Sequence, residues 1–370
     1  MDNQRILTIE NLHAYFYARS KQAFIRSVDN VSFEIHQGQT LGMVGESGSG
    51  KSVTALSVMG LVQGSPGVIS GAIRFHTPDG PLNLLHGIDR HVQLKRHNGR
   101  IMTVIKAARP WEKRLQRRMK GIRGSQLAMI FQDPRSAMNP FSTIGRQITE
   151  TILRNTAISS RKEARDKTLA WLEQVRIDAP KIRYHNNPHG LSGGMCQRAM
   201  IAMALAAEPT LLIADEPTTG LDATIQSRIV ALMGQIKSRL GLTTLLISHD
   251  IDVIRQLSDR VAVMYGGTVL ENGPVDAVLD PAAAPKHPYT AALLASVPDR
   301  RLIKKKGVLK AIKGDVLDTI NTPKGCRFYP RCRQYHGKIV AACVNQEPPL
   351  SPVAQGHAVR CWLFEPINSG

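Results

Sequence analysis

Between Gly45 and Ser52 the chain reads Gly-Glu-Ser-Gly-Ser-Gly-Lys-Ser, and no other stretch limits what it can fold into so strongly. Two glycines separated by four residues, then a lysine and a hydroxyl, make a phosphate-binding loop pattern. The apolar run Thr40-Leu-Gly-Met-Val44 before it is long enough for a buried strand, and Val53 to Met59 after it holds no helix breaker. Strand, glycine-rich turn and helix is the order such a loop needs. Its glycines adopt dihedrals closed to other residues, so the N–H groups of Gly45, Glu46, Ser47, Gly48, Ser49 and Gly50 can turn inward on phosphate oxygens. The helix N-terminus adds partial positive charge. Lys51 is expected to reach the terminal phosphates, and Ser52 to offer its hydroxyl to Mg²⁺. The loop implies a nucleoside triphosphate ligand without saying what the triphosphate is for.

At 370 residues the chain can hold a full α/β core and something smaller. A formal charge of +19 and an isoelectric point of 10.0 imply an anionic partner, nucleic acid or an acidic membrane surface, or else simply a basic soluble surface. Met1-Asp-Asn-Gln-Arg-Ile-Leu lacks the basic-then-apolar layout of a signal peptide. No run of about 18 apolar residues occurs; the nearest, Ala199 to Ala214, is broken by Glu208 and Pro209. The expectation is a cytoplasmic chain that does not itself cross a membrane. In that reducing compartment the five cysteines do not read as a disulfide framework.

Arg5 to Leu12 and Val31 to His36 alternate apolar and polar residues, as strands of an antiparallel sheet do, with Gln37-Gly38 turning toward the loop strand. Between them Tyr15-Phe16-Tyr17 supplies aromatics for base stacking or for packing. Gly67 to Phe75 reads as a further strand. From Arg90 to Arg123 twelve Lys or Arg stand against Glu112 alone, the pattern of a solvated surface or flexible arm. Helical spacing in Ile144 to Leu153 and Arg161 to Val175, with Ser159-Ser160 as a cap, predicts an inserted helical block. Leu191-Ser-Gly-Gly-Met-Cys-Gln-Arg198 opens another helix, whose free N–H groups make a second anion site.

Leu211-Leu-Ile-Ala-Asp215-Glu216 is an apolar run ending in two carboxylates, and Thr243 to Ile247 ends at Ser248-His249-Asp250. Parallel strands bind ligands at their carboxyl ends, so these groups should face the loop. Asp215 suits an Mg²⁺ shell and Glu216 a base for water. Val261 to Tyr265 and Thr268 to Glu271 form a hairpin around Gly266-Gly267.

Taken in order, the loop, Gln132, Leu191-Ser-Gly-Gly194, Asp215-Glu216-Pro-Thr-Thr-Gly-Leu-Asp222 and His249 resemble an ABC transporter ATPase subunit, over roughly Ile6 to Val297. Gly45 to Val53, Met129-Ile-Phe-Gln-Asp-Pro134, Gln197-Arg198 and His287-Pro-Tyr-Thr290 look like its oligopeptide, dipeptide and nickel importer branch. The resemblance implies a P-loop NTPase (RecA-like) α/β core in an ATPase domain over 1–297, with an N-terminal antiparallel β subdomain. A helical subdomain over about 134–205 and a basic insertion over about 86–115 interrupt it, and a small Cys-containing extension over 298–370 follows. ATP and Mg²⁺ are the implied ligands, with Phe16 stacking on adenine and Ser52, Gln132 and Asp215 around the metal. Gln132 would also sense the attacking water, Glu216 would be the catalytic base and His249 the switch against the γ-phosphate.

Leu191, Ser192, Gly193 and Gly194 would act on the ATP of a second cassette, identical or homologous, with Asp222 in the loop along that dimer interface. Two membrane permease subunits, an extracytoplasmic solute-binding protein and a peripheral place on the cytoplasmic face of the membrane complete the implied assembly, with peptides or a similar solute as cargo. The rival class is a soluble ABC-type ATPase working on nucleic acid or the ribosome. Such proteins usually carry two cassettes or a long coiled coil, whereas this chain has a single loop, a single signature and no sustained heptads.

Three departures from the branch stand out. Cys196 replaces a polar or charged residue, Gly220 stands where Ala is common, and the segment from about His86 to Leu115 is longer than the branch needs. That segment is expected at the periphery, against anionic lipid headgroups or as a plain surface loop. Cys196 is expected to be packed. In the tail, Cys326, Cys332, Cys343 and Cys361 contain no Cys-x-x-Cys pair. The branch's cysteine-bearing extension implies a [4Fe–4S] cluster on these four; the residues alone leave zinc and free or paired thiols open.

Overall fold

In the computed structural model, which describes residues 4–77, 80–97, 100–283, 285–296, 312–335 and 337–365, the strands sort into sheets by hydrophobic pattern. The first five are β1 (Arg5–Ala18), β2 (Ala23–His36), β3 (Thr40–Val44), β4 (Pro66–Thr77) and β5 (Gly80–Asn83). Those with mixed burial, in the order β2-β1-β4-β5, make a four-stranded antiparallel sheet. β1 and β2 run further than their alternation predicts. Phe16 lies within the ladder, paired with Ile25 on one side and Pro66 on the other.

β3 is buried at every position and leaves that sheet. After the hairpin β6 (Val92–His97) and β7 (Arg100–Lys106) come β8 (Leu127–Ile130), β9 (Leu211–Asp215), β10 (Thr243–Ile247), β11 (Arg260–Tyr265), β12 (Thr268–Pro274), β13 (Ser351–Ala354) and β14 (His357–Val359). The central sheet has eight strands in the order β13-β14-β12-β11-β3-β10-β9-β8. β11, β3, β10, β9 and β8 are parallel. A parallel strand is covered on both faces, so it reads as a continuous apolar run rather than an alternation. Each fully buried Leu or Ile here, such as Leu245 or Ile213, stabilises by about 1.5–3 kcal/mol. Two cores flank the sheet, one containing Trp171, Leu205 and Ile254, the other Ile9, Val58 and Phe75.

The three long helices between β8 and β9, Ile144–Asn155, Arg161–Gln174 and Gly193–Leu205, start where short polar side chains can satisfy their first N–H groups. Thr143 accepts from the Arg146 N–H, Ser160 from that of Glu163 and Ser192 from that of Met195. Each cap is worth about 1 kcal/mol.

One of the two expected alternatives for the basic stretch falls away. The basic stretch is no flexible arm: the β6–β7 hairpin leads into a helix, Ala108–Met119, with Trp111 and Met119 buried. Val92 and Ile101 are buried as well, while Lys113, Arg117 and Lys120 face out. The tail joins the central sheet. β14 pairs with β12, Glu271 lying opposite Val359, and β13 continues the sheet beyond it. Fully buried Glu271 is satisfied there, accepting from the His287 N–H at 3.0 Å and lying 2.8 Å from His357 Nε2. The start of the expected extension, through residue 311, lies outside the described residues.

Candidate active site

β3 delivers the chain to Gly45 at the carboxyl edge of the parallel strands, and the helix Lys51–Met59 carries it away. Gly45 and Gly50 take positive φ of 151° and 100°. A Cβ would strike the Met264 carbonyl at the first and the Ser27 carbonyl at the second, so no other residue fits. Lys51 is buried and donates to the Gly45 and Glu46 carbonyls at 2.8 and 3.0 Å. Burial pulls its pKa below the ordinary lysine value, against Glu216, Asp215 and Glu46, whose charges raise it. Ser52 Oγ donates to Asp215 Oδ1 at 3.0 Å, which joins the loop to the end of β9. Burial raises the Asp215 pKa, the Ser52 bond lowers it, Glu216 raises it and Lys51 lowers it; the net shift is upward.

β9 and β10 run in register, Asp215 beside Ile247, so Glu216 and His249 leave neighbouring strand ends together. Glu216 has φ 49°, left-handed for a non-glycine residue, and its N–H donates to the Ile247 carbonyl at 2.9 Å. Such backbone strain costs about 1–3 kcal/mol and persists only where the surroundings fix it. Three groups converge on Glu216 Oε2: Thr219 Oγ1 at 2.7 Å, Gln132 Nε2 at 3.2 Å and His249 Nδ1 at 3.2 Å. Glu216 is thereby fixed while His249, 63% exposed, stays open to solvent. Ser52, Gln132 and Asp215 supply oxygen donors of the hard kind that Mg²⁺ takes, and they fit such an ion. The arrangement can bind a phosphate chain, hold a hard cation and take a proton from water beside it.

The family described as ABC transporter matches residues 28–219, which contain the loop, Gln132, the Leu-Ser-Gly-Gly signature and Asp215-Glu216. The oligopeptide transport ATP-binding protein AppD of Bacillus subtilis is 40% identical over 363 residues, 97% of either chain. This chain belongs to the ABC transporter family. A second family, the oligopeptide/dipeptide transporter C-terminal region, matches residues 270–338. The probable peptide ABC transporter ATP-binding protein y4tR of Sinorhizobium fredii is 39% identical over 358 residues, 96% of this chain and 94% of that one. Among solved structures, the dimeric bacterial ABC transporter cassette MJ0796 aligns with a TM-score of 0.56 at 23% identity, over 73% of this chain and 99% of that one. At that identity it speaks for the ABC fold alone.

The other expected residues of the ABC cassette fall in two places. Leu191 is buried, while Ser192 and Gly193 are exposed at the start of the helix Gly193–Leu205. Gly194 abuts Ile225, whose N–H donates to the capping carboxylate of Asp222 at 2.9 Å. Signature and Asp222 therefore form one patch, and among the described residues no hydrogen bond joins it to Gly45–Ser52. In the aromatic row, Tyr15 is buried and donates to Asp29 Oδ1 at 2.6 Å, whereas Tyr17 meets Phe24 edge-on at 5.3 Å. Phe16 lies half-buried against Gly64.

The tail cysteines are all free, Cys326, Cys343 and Cys361 buried and Cys332 half-buried. Burial, with neighbouring thiols adding to it, pushes Cys326 up to about 12 and Cys361 up to about 11. Sulfur donors suit iron–sulfur or zinc centres, but those ligands are thiolates. Among the described residues no group of three His, Cys, Asp or Glu is placed to hold a metal ion. The geometry therefore does not reproduce the cluster expected from the resemblance. Cys196 is packed as expected, its thiol donating to the Pro188 carbonyl at 3.2 Å.

Sequence reasoning missed Thr219, although a hydroxyl three residues past Glu216 in the same turn was a usable signal. It also missed Tyr289, whose hydroxyl accepts from the Glu46 N–H at 2.9 Å, and the tail's Arg327 and Arg331.

Proposed function

We propose that this chain is the ATP-binding and ATP-hydrolysing subunit of a membrane importer for peptides or a similar solute. The observation that carries this reading is the meeting of Gln132, Thr219 and His249 on one oxygen of Glu216, next to the Ser52–Asp215 pair. The loop N–H groups and Lys51 bind the phosphates of ATP, and Phe16 stacks on its base. Mg²⁺ held by Ser52, Gln132 and Asp215 would offset phosphate charge. Glu216 accepts the proton of the attacking water, which Gln132 senses, and His249 is the switch against the γ-phosphate. Leu191, Ser192, Gly193 and Gly194 serve the ATP of a second cassette, with Asp222 along the shared interface, so one chain holds half of each site.

The named relatives are transport ATP-binding proteins, which supports peptides as cargo, two permease subunits and an extracytoplasmic binding protein as partners, and a peripheral place at the membrane. They lend nothing to a nucleic-acid-directed ATPase. We divide the chain into an ATPase domain over 1–297, with its helical subdomain at about 134–205 and basic insertion at about 86–115, and an extension over 298–370. A [4Fe–4S] cluster on Cys326, Cys332, Cys343 and Cys361 rests on the resemblance to the branch's cysteine-bearing extension and not on the geometry, and no step of hydrolysis passes through it; iron content and visible absorption lost in Cys332→Ser would test it.

Glu216→Gln tests the main reading. Turnover should drop by about 10²–10⁴-fold while ATP binding survives. A variant that hydrolyses ATP at the normal rate would remove Glu216 from its role.

A further inference from the structure

Behind the phosphate loop the tail makes contacts that the hydrolytic scheme does not use. Arg331 grips Glu46 with both prongs, Nη1 to Oε2 at 2.7 Å and Nη2 to Oε1 at 3.1 Å. The same guanidinium donates to Tyr265 Oη at 3.2 Å and to the Lys313 carbonyl at 3.1 Å, and it is only 6% exposed. Tyr289, the acceptor of the Glu46 N–H, is fully buried against Tyr265 and Phe328, with ring centres 4.7 and 5.3 Å away. Glu46 is thus fixed by side chain and backbone together.

Four residues earlier, Arg327 reaches the other end of the loop through the β11–β12 turn. It donates to the Gly266 carbonyl and to Asp29 Oδ2, the latter at 2.7 Å. The Asp29 N–H donates to the Gly267 carbonyl at 2.8 Å, and the Gly267 N–H to the Ser49 carbonyl at 3.1 Å.

Glu46 is the second residue of a loop built to receive several negative charges. An unpaired carboxylate there opposes the phosphates, and a loop free to move at Glu46 must be ordered again at each binding event. A two-pronged arginine removes both penalties, since it neutralises the charge and fixes direction.

We propose that Arg331 is a positioning residue for nucleotide binding, holding the start of the phosphate loop in its ligand-ready shape and cancelling the charge of Glu46. This rests on the loop being the ATP site. Such a residue acts on bound substrate and transition state alike, so its loss shows in KM and not in kcat.

The test uses the full chain, with ATP affinity and steady-state hydrolysis measured for Arg331→Met, Arg331→Lys, Glu46→Gln and the double variant Glu46→Gln/Arg331→Met. Arg331→Met should raise Kd and KM for ATP by about 10-fold, the loss of a charge-assisted bond, with kcat little changed. Arg331→Lys, which keeps the charge and loses the fork, should fall between wild type and Arg331→Met. Adding Glu46→Gln should return most of the lost affinity, because it removes the charge that needed cancelling. A purely structural Arg331 would instead give a double variant no better than the single one. That result, or a KM for Arg331→Met within about twofold of wild type, overturns the proposal. If Arg331→Met does not fold, Arg331→Lys with and without Glu46→Gln decides by the same recovery. Lys51→Ala keeps the two readings apart: retained ATP binding there would refute the loop as the nucleotide site, whatever Arg331 does.

Discussion

The basic stretch between β5 and β8 and the C-terminal tail both pack on the cassette core, and they grip it by different means. The basic stretch buries Val92, Ile101, Trp111 and Met119, and its Lys106 donates to the Pro66 and Val68 carbonyls at 2.6 Å. Burial, opposed by Glu112, pulls Lys106 down to about 8. The tail inserts Arg327 and Arg331, each 6% exposed, against carboxylates at and beside the phosphate loop. Apolar burial is non-directional, so it attaches a segment without dictating the shape of what lies beneath. A buried guanidinium–carboxylate fork is directional, and breaking it strands a charge. The difference teaches that bulk attachment and control of the site are separable.

A pair of substitutions with matched cost is the strongest way to break that contrast. Trp111→Ala in the basic stretch and Arg327→Met in the tail should each destabilise by about 3–5 kcal/mol in urea unfolding of the full chain. Only Arg327→Met should also raise KM for ATP. Equal effects on KM would erase the distinction.

A smaller effect sharpens it through pH. Burial raises the Asp29 carboxyl, but Arg327, Tyr15 and His13 outweigh it and hold the pKa below the usual value. Because the folded value is depressed, its contribution is complete above the unfolded pKa of about 4 and lost as pH falls through the folded one. The stability gap between wild type and Asp29→Asn should therefore be about 1–3 kcal/mol at neutral pH and close in acid. A gap that widens toward low pH would contradict the assignment.

The smallest effect concerns the outer face of the basic stretch. Changing Lys113, Arg117 and Lys120 to Gln should weaken sedimentation with phosphatidylserine vesicles, by about 1 kcal/mol per charge, and leave stability within about 0.5 kcal/mol. Unchanged sedimentation would make that face a plain solvated surface.

What was legible in the sequence follows from how local each cause is. Gly45–Ser52, Asp215-Glu216 and His249 were readable because each sits at the end of a buried apolar run, and parallel strands send their ends to one edge. Phe16 was less so, since three adjacent aromatics offer alternatives and the bond of Tyr15 to Asp29 removes only one of them. The fold of the basic stretch was not legible because its charges mask Val92-x-Leu94 and the buried Trp111, a weak alternation inside a strongly basic run. The pairing of β14 with β12 and of Arg331 with Glu46 left no local mark. The second spans 285 residues, and neither partner carries a pattern that points to the other.

That span has a consequence in time. On a ribosome adding about 5–20 residues per second, Glu46 emerges roughly 15–60 s before the arginine that anchors it. Through that interval the β1–β2 sheet and the strand before the loop can form, but the loop itself lacks its far-end anchor. On the role proposed for Arg331, the nascent cassette grips nucleotide firmly only once the tail has been made, so that a late segment finishes an early one.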